Sequence, residues 1–170
     1  LTIGANAHIK KGTFNNYGEM TVAKEAIMTK ESKVNNYGEL VVNGYIKEIT
    51  ENGSEDFTKE ENEKAEITVG VNGSVSVTTN YGVIETEGAL EVSTNAADAV
   101  IKYEGGDIEI TTLELSGAVR MSESETSGVA ISFYTPQGTF FTDSSTSASY
   151  KTITAQIRIK GKLVSAAQKV

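Results

Sequence analysis

The sequence contains few of the side chains that enzymes use for nucleophilic or acid–base chemistry. His8 is the single histidine, and the chain contains no cysteine. A Ser-His-Asp arrangement would have to use His8, and no nucleophile-elbow motif accompanies it. The absence of cysteine excludes a thiol nucleophile, a disulfide framework and a zinc–thiolate site. This composition predicts a chain without catalytic side chains.

The acidic residues are numerous, but their spacing does not select a catalytic pair. Glu19, Glu39, Glu91 and Glu109 lie at alternating positions of predicted strands, where side chains face solvent. Hydrolysis of a glycosidic bond requires two carboxyl groups that converge on that bond. No pair in the sequence meets this requirement, so we expect that the protein is not an enzyme.

Metal and cofactor motifs give no stronger signal. Gly105-Gly106-Asp107 resembles part of a calcium-binding β-roll repeat, but it occurs once and the chain has only four aspartates. The sequence contains no phosphate-binding loop, dinucleotide fingerprint or EF-hand pattern. We therefore expect no cofactor.

The charge and hydropathy of the chain exclude two classes of partner. Its formal net charge is −8, and an acidic surface repels phosphate backbones, so we expect no nucleic acid. No apolar run approaches the roughly 18 residues that a membrane span requires. The sequence begins with Leu1, which we interpret as the start of a processed or excised chain.

The strongest pattern in the sequence is an internal repeat. Residues 15–19 read NNYGE, residues 35–39 read NNYGE again, and residues 80–82 read NYG. Apolar residues follow each glycine at alternate positions, which is typical of a strand with one buried face. The repeat defines these candidate corner residues: Asn15, Asn16, Tyr17, Gly18, Asn35, Asn36, Tyr37, Gly38, Asn80, Tyr81 and Gly82.

Short strands with one apolar face must stack to bury that face. We therefore predict an all-β fold, a single-stranded parallel β-helix (right-handed solenoid) in which equivalent strands lie about 4.8 Å apart. The 20-residue repeat suits one coil, the 44-residue step suits two coils of 22, and seven or eight coils would use the whole chain. Glycine-started strands at intervals of about 10 residues also fit an antiparallel β-sandwich, which stays the alternative.

In the solenoid, each NNYG segment would form a corner. Asn35 and Asn36 would lie above Asn15 and Asn16, and stacked asparagine side chains would hydrogen-bond along the axis. Gly18 and Gly38 would supply the left-handed backbone of a sharp turn. The three corner tyrosines would form an aromatic column: Tyr17, Tyr37 and Tyr81.

We expect one domain over residues 1–170, with two departures from the repeat. Residues 47–66 are acidic and predict a loop insertion, and the capping-box spacing of Thr58 and Glu61 predicts a short helix over about 59–65. Residues 129–170 predict a capping segment, because residues 152–164 alternate cleanly and would protect an exposed strand edge.

The phrases NNYGEMTV, NNYGELVV and GALEVSTN resemble the repeats of bacterial cell-surface and adhesin-type parallel β-helix domains. The resemblance implies an extracellular or cell-surface location and a non-catalytic structural or adhesive role. It also implies a glycan or a host cell-surface protein as the partner. Two alternatives stay open: a carbohydrate-binding or carbohydrate-active β-helix protein that uses exposed tyrosines, and a self-assembling subunit of a filament or phage fibre.

Overall fold

A computed structural model describes residues 1–114, 118–121, 152–159 and 168–169 of the chain. It is a right-handed parallel β-solenoid of about six coils, as the repeat predicts. Each coil contributes strands to two sheets, which face each other across a single apolar core. The fold expected from the sequence is therefore confirmed, and the antiparallel sandwich is wrong.

The strands follow one another in chain order, two or three to a coil. Coil 1 holds β1 (Thr2–Ile3), β2 (His8–Ile9) and β3 (Gly12–Asn16); coil 2 holds β4 (Glu19–Val22) and β5 (Ile27–Asn36); coil 3 holds β6 (Glu39–Val42) and β7 (Tyr45–Asn52). A short helix, α1 (Lys59–Asn62), precedes coil 4. Coil 4 holds β8 (Glu66–Val69) and β9 (Ser74–Asn80); coil 5 holds β10 (Val83–Thr86) and β11 (Ala89–Asn95); coil 6 holds β12 (Val100–Tyr103) and β13 (Ile108–Glu114).

The interior consists of apolar columns that run along the solenoid axis. In the first sheet, strands β4, β6, β8, β10 and β12 pair in register and place one buried apolar residue from each coil in a column: Met20, Leu40, Ile67, Ile84 and Ile101. The second sheet supplies a matching column: Val34, Ile49, Val77, Val92 and Ile110. Each of these side chains contributes about 1.5–3 kcal/mol on full burial. The apolar residues at alternate positions of each strand therefore determine how each coil stacks on the next.

Coil length differs from the expectation. Asn36 and Asn80 are two coils apart, but the two steps are 16 and 28 residues instead of two of 22. The longer step contains an excursion that leaves the coil after Gly53 and rejoins it at Ala65. Residues 47–52, which we predicted to begin the insertion, belong instead to β7.

The excursion (residues 54–64) is closed by polar contacts of its own. Thr58 and Glu61 form the expected capping box at the start of α1. Asn62 clamps the entrance, because its Oδ1 accepts from the backbone N–H of Ser54 at 2.8 Å and its Nδ2 donates to the Ser54 carbonyl at 2.9 Å. The segment is thus a folded loop attached to the corner of coil 3.

Beyond coil 6 the pairing changes direction. Strand β14 (Ala118–Met121) continues the first sheet in parallel, whereas β15 (Thr152–Ile159) and β16 (Gln168–Lys169) pair antiparallel with β13 and β14. The described part of the chain therefore has six full coils, fewer than the seven or eight expected. Most of the predicted capping segment, residues 129–170, lies outside the described residues. No helix within them is long and apolar enough to span a membrane.

Candidate functional site

The NNYG segments lie where the chain passes from the second sheet to the first. Asn16 and Asn36 end β3 and β5, and the next strand of the first sheet begins at Glu19 or Glu39. In the third copy, Asn80 ends β9 and β10 begins at Val83. The two residues between the strands, Tyr-Gly in each copy, make the corner.

A ladder of five asparagines runs through this corner. The side-chain Nδ2 of each member donates to the Oδ1 of the next at 2.7 or 2.8 Å, and the members are Asn16, Asn36, Asn52, Asn80 and Asn95. The last four are fully buried. A parallel column, at the surface, joins Asn35 Nδ2 to Asn15 Oδ1 at 2.8 Å. Buried amides that satisfy each other remove the cost of leaving polar groups unpaired.

The ladder also joins the two sheets. Asn52 Nδ2 donates to the backbone carbonyls of Ala65 at 3.0 Å and Val83 at 3.1 Å. Asn16 Nδ2 makes the equivalent bond to the carbonyl of Glu39 at 2.8 Å. The ladder ends where Leu113 of coil 6 takes the position opposite Asn95.

Sequence reasoning from NNYG missed Asn52 and Asn95, because no Tyr-Gly follows either residue. A second pattern, apolar–Ser/Thr–polar–Asn, would have found them at residues 49–52 and 92–95, and it also covers 77–80. The pattern marks an extra residue between the apolar position and the asparagine. Its first instance is Thr50, at a register shift between β5 and β7. The buried Thr50 hydroxyl has no hydrogen-bond partner among the described residues.

The corner glycines do not have the left-handed backbone that we expected of Gly18 and Gly38. Positive φ occurs instead at Gly12, Gly53 and Gly106. Gly38 is needed for another reason: a Cβ there would clash with the backbone of Gly18 in the coil below. A Cβ at Gly18 would meet nothing within 4 Å, because no described coil lies beneath it.

An aromatic column lies outside the ladder. The Tyr17 and Tyr37 rings stack with centroids 4.9 Å apart, and Phe57 of the excursion packs against Tyr37 at 5.6 Å. Phe57, which the sequence pattern did not include, therefore extends the column beyond Tyr37, and the place of Tyr81 in the column stays a prediction. Tyr17 stacks on Tyr37 with one ring face, and at 74% exposure it presents its other face to solvent.

Tyr37 is also the described residue with the most perturbed titration. Its phenol donates to the Glu51 carboxylate, and this bond, with partial burial and the negative charge of Glu51, raises the pKa of Tyr37 to about 12. A phenol held neutral in this way serves as a structural donor, because it keeps its proton at any physiological pH. The side chains of this corner therefore stack and hydrogen-bond.

The acidic candidates lie in register on neighbouring strands, and Glu91 of β11 lies beside Glu109 of β13. His8 is exposed on β2, and Glu91 accepts from the Ser76 hydroxyl at 3.0 Å. Glu19, Glu39 and Glu66 lie side by side in register on the outer face of the first sheet. Within the described residues, no group of three His, Asp or Glu side chains could hold a metal ion.

Comparison with known proteins identifies no relative. No protein-family model matches the chain, and neither a curated protein nor a solved structure matches it.

Proposed function

We propose that the protein is a non-catalytic structural and adhesive module of the bacterial adhesin type, which acts at the cell surface or outside the cell. The observation that carries the proposal is the asparagine ladder from Asn16 to Asn95, which ties five successive coils together inside the core. Continuous internal bonding of this kind suits a protein that must hold its shape while it bears a load.

The mechanism would be rigid display. Six coils at about 4.8 Å per coil give a stack about 29 Å long. Outward-facing columns of the two sheets and the corner then form a fixed surface. Among the described residues the most exposed aromatic side chain is Tyr17, which stacks on Tyr37 and so loses little conformational entropy on binding. The partner would be a glycan or a host cell-surface protein.

A binding experiment with the intact 170-residue chain tests this function. We expect labelled protein to bind saturably to a glycan array or to cultured cells without cleaving what it binds. Tyr17→Ser should weaken binding at least about tenfold, since an aromatic anchor at a contact contributes about 2 kcal/mol. Val71→Ser is the matched control, because Val71 is similarly exposed, at 70%, but lies in a turn away from the column.

Equal losses in the two variants, or no saturable binding on either surface, would contradict the proposal. Binding to isolated saccharides alone would favour the second candidate, a carbohydrate-binding module. The free outer face of Tyr17 supports that candidate, because a single sugar ring can stack on it.

A further inference from the structure

The outer face of the first sheet carries charges that the described part of the chain does not compensate. Glu19, Glu39 and Glu66 are neighbours in register on β4, β6 and β8. Val83 and Val100 take the next two positions of the same column. Among the described strands no basic residue lies in register beside any of these glutamates, and like charges in direct register destabilise a sheet.

The outer face of the second sheet is different, because its polar groups pair with one another along the axis. Lys33 Nζ lies 3.4 Å from the Glu48 carboxylate. The Ser76 hydroxyl donates to the Glu91 carboxylate at 3.0 Å. The first sheet is therefore the better candidate for an interface with another molecule.

The same face of the first sheet carries apolar and basic residues as well. Val41 is 37% exposed, and Val83 and Val100 are half-buried beside the core residues of their strands. The second column in register reads, from β4 to β14: Thr21, Val41, Thr68, Glu85, Lys102 and Arg120. Along the axis the face therefore changes from acidic in coils 2–4 to basic at β12 and β14, with valines between the two ends.

We propose that this face binds a second copy of the chain, in a two-fold symmetric dimer whose solenoid axes are antiparallel. With the two-fold axis between β8 and β10, Glu39 of one copy lies opposite Val100 of the other and within reach of its Lys102. The acidic end of each copy then meets the basic end of the other, and the valines pack between these ends. A parallel arrangement is disfavoured, because it brings the glutamates of both copies to the same end.

The size of the face determines the expected affinity. Six strands about 4.8 Å apart, with four residues of about 3.3 Å each, form a patch of about 29 by 13 Å. A standard stable interface is larger and buries about 800 Å² per partner, so we expect a reversible dimer with a Kd on the order of 100 μM. This dimer goes beyond the display function and does not depend on it.

Sedimentation equilibrium of the intact 170-residue chain over a concentration series tests the proposal. We expect a reversible monomer–dimer equilibrium. Glu39→Lys and Lys102→Glu should each weaken dimerisation at least about tenfold, because each places like charges opposite one another. The double variant Glu39→Lys/Lys102→Glu should restore dimerisation, since it rebuilds the same pairs with reversed signs.

Glu91→Lys is the matched control, because it makes the same change in net charge at an exposed position of the second sheet. It reduces the general repulsion between two acidic chains, so dimerisation should be unchanged or slightly stronger. Glu39→Lys reduces that repulsion equally but should weaken dimerisation. Circular dichroism should be unchanged in every variant.

The chain contains no cysteine, so a single introduced thiol reports which face is in contact. Val83→Cys lies beside the two-fold axis and should be cross-linked between copies by a short bismaleimide, whereas the exposed Ser93→Cys of the second sheet should not. A monomer at every concentration, an assembly that grows beyond two copies, equal effects of Glu39→Lys and Glu91→Lys, or no restoration in the double variant would each overturn the proposal.

Discussion

Asn52 is the residue on which the ladder depends most. It lies in the middle of the five members and donates to three acceptors in two neighbouring coils. We expect Asn52→Ala to lower the free energy of unfolding by about 2–3 kcal/mol, because buried polar groups on both sides lose a partner. Urea denaturation followed by circular dichroism measures this change.

Asn15→Ala is the control for Asn52, since Asn15 is exposed and its side chain accepts a hydrogen bond from a surface amide, that of Asn35. Its effect should stay within about 0.5 kcal/mol. If both substitutions lower the free energy of unfolding equally, burial does not determine how much an asparagine contributes to stability.

Gly38 and Gly18 occupy equivalent corners but have different surroundings. We expect Gly38→Ala to destabilise the protein by about 1–3 kcal/mol, because the new methyl group must displace the Gly18 backbone. Gly18→Ala has free space and ordinary φ, so we expect no loss and a gain of up to about 1 kcal/mol through the unfolded state. Thermal unfolding of the two variants distinguishes two reasons for glycine at these corners. A close approach between coils destabilises only Gly38→Ala, whereas a need for left-handed backbone would destabilise both variants.

Deprotonation of Tyr37 should lower the free energy of unfolding in strongly alkaline solution. The pKa of its phenol is about 12 in the folded protein and about 10 when unfolded, so the neutral form is favoured by folding. The stabilisation is complete below pH about 10 and is lost as the pH rises through about 12. Ultraviolet absorbance of phenolate, titrated against pH and compared with Tyr37→Phe, measures this pKa.

Glu51→Gln should lower the pKa of Tyr37 toward 10, because it removes the charged acceptor of the phenol. Glu48→Gln is the matched change on the same strand, where Glu48 pairs instead with Lys33 at 3.4 Å. An unchanged Tyr37 titration in Glu51→Gln would show that burial, not the hydrogen bond, raises the pKa.

At the scale of elements, the excursion should be removable as one piece. Gly53 and Ala65 make the backbone hydrogen bonds that a two-residue corner makes in other coils, as Tyr81 and Gly82 do. Deletion of residues 54–64 therefore leaves Asn52-Gly53-Ala65-Glu66, a corner of ordinary length. We expect the β-sheet spectrum to be kept and the stability to fall by about 0.5–1.5 kcal/mol, since Phe57 no longer packs on Tyr37.

A deletion of the same length over residues 74–84 is the control, because it removes β9 and the start of β10 from both sheets. That variant should be unfolded. Loss of structure on deletion of 54–64 would mean that the excursion is part of the coil framework.

The elements themselves were predictable to the extent that their signals are local. Alternating apolar and polar residues after Gly18, Gly38 and Gly82 indicate strands with one buried face. The recurrence of this pattern along the chain indicates that the strands stack. The capping box of Thr58 and Glu61 is equally local and was found. The length of coil 3 was not predicted, because Asn52 lacks the Tyr-Gly that follows Asn16, Asn36 and Asn80, and because the excursion interrupts the repeat spacing.

Contacts between distant segments could not be predicted from these patterns. The packing of Phe57 on Tyr37 joins the excursion to a preceding coil, and no periodicity in the sequence reports it. The glycines illustrate the same limit. The sequence does not distinguish a glycine that avoids a steric clash from a glycine that adopts positive φ. The prediction was therefore wrong about why glycine is needed at position 38.

The whole molecule is a stack in which each coil contacts mainly its neighbours. Stability in such a stack is a sum of coil terms and interface terms, so opening starts at an end. Coil 1 is the least stable of the described coils, because its strands β1 and β2 have two residues each. Each of these strands also has one strand neighbour among the described residues. The central coils have neighbours on both sides and the buried ladder between them.

Hydrogen exchange should therefore report a gradient along the axis. We expect the Thr21 amide, which donates to the Leu1 carbonyl, to exchange faster than the Asn43 and Tyr81 amides, which donate to Val22 and Asn52. The Asn52→Ala variant should accelerate exchange at Tyr81 more than at Thr21, because it weakens the interface between coils 3 and 4. Equal exchange rates at all three amides in the native protein would mean that the solenoid opens in one step, and the ladder would then bind the coils into a single cooperative unit.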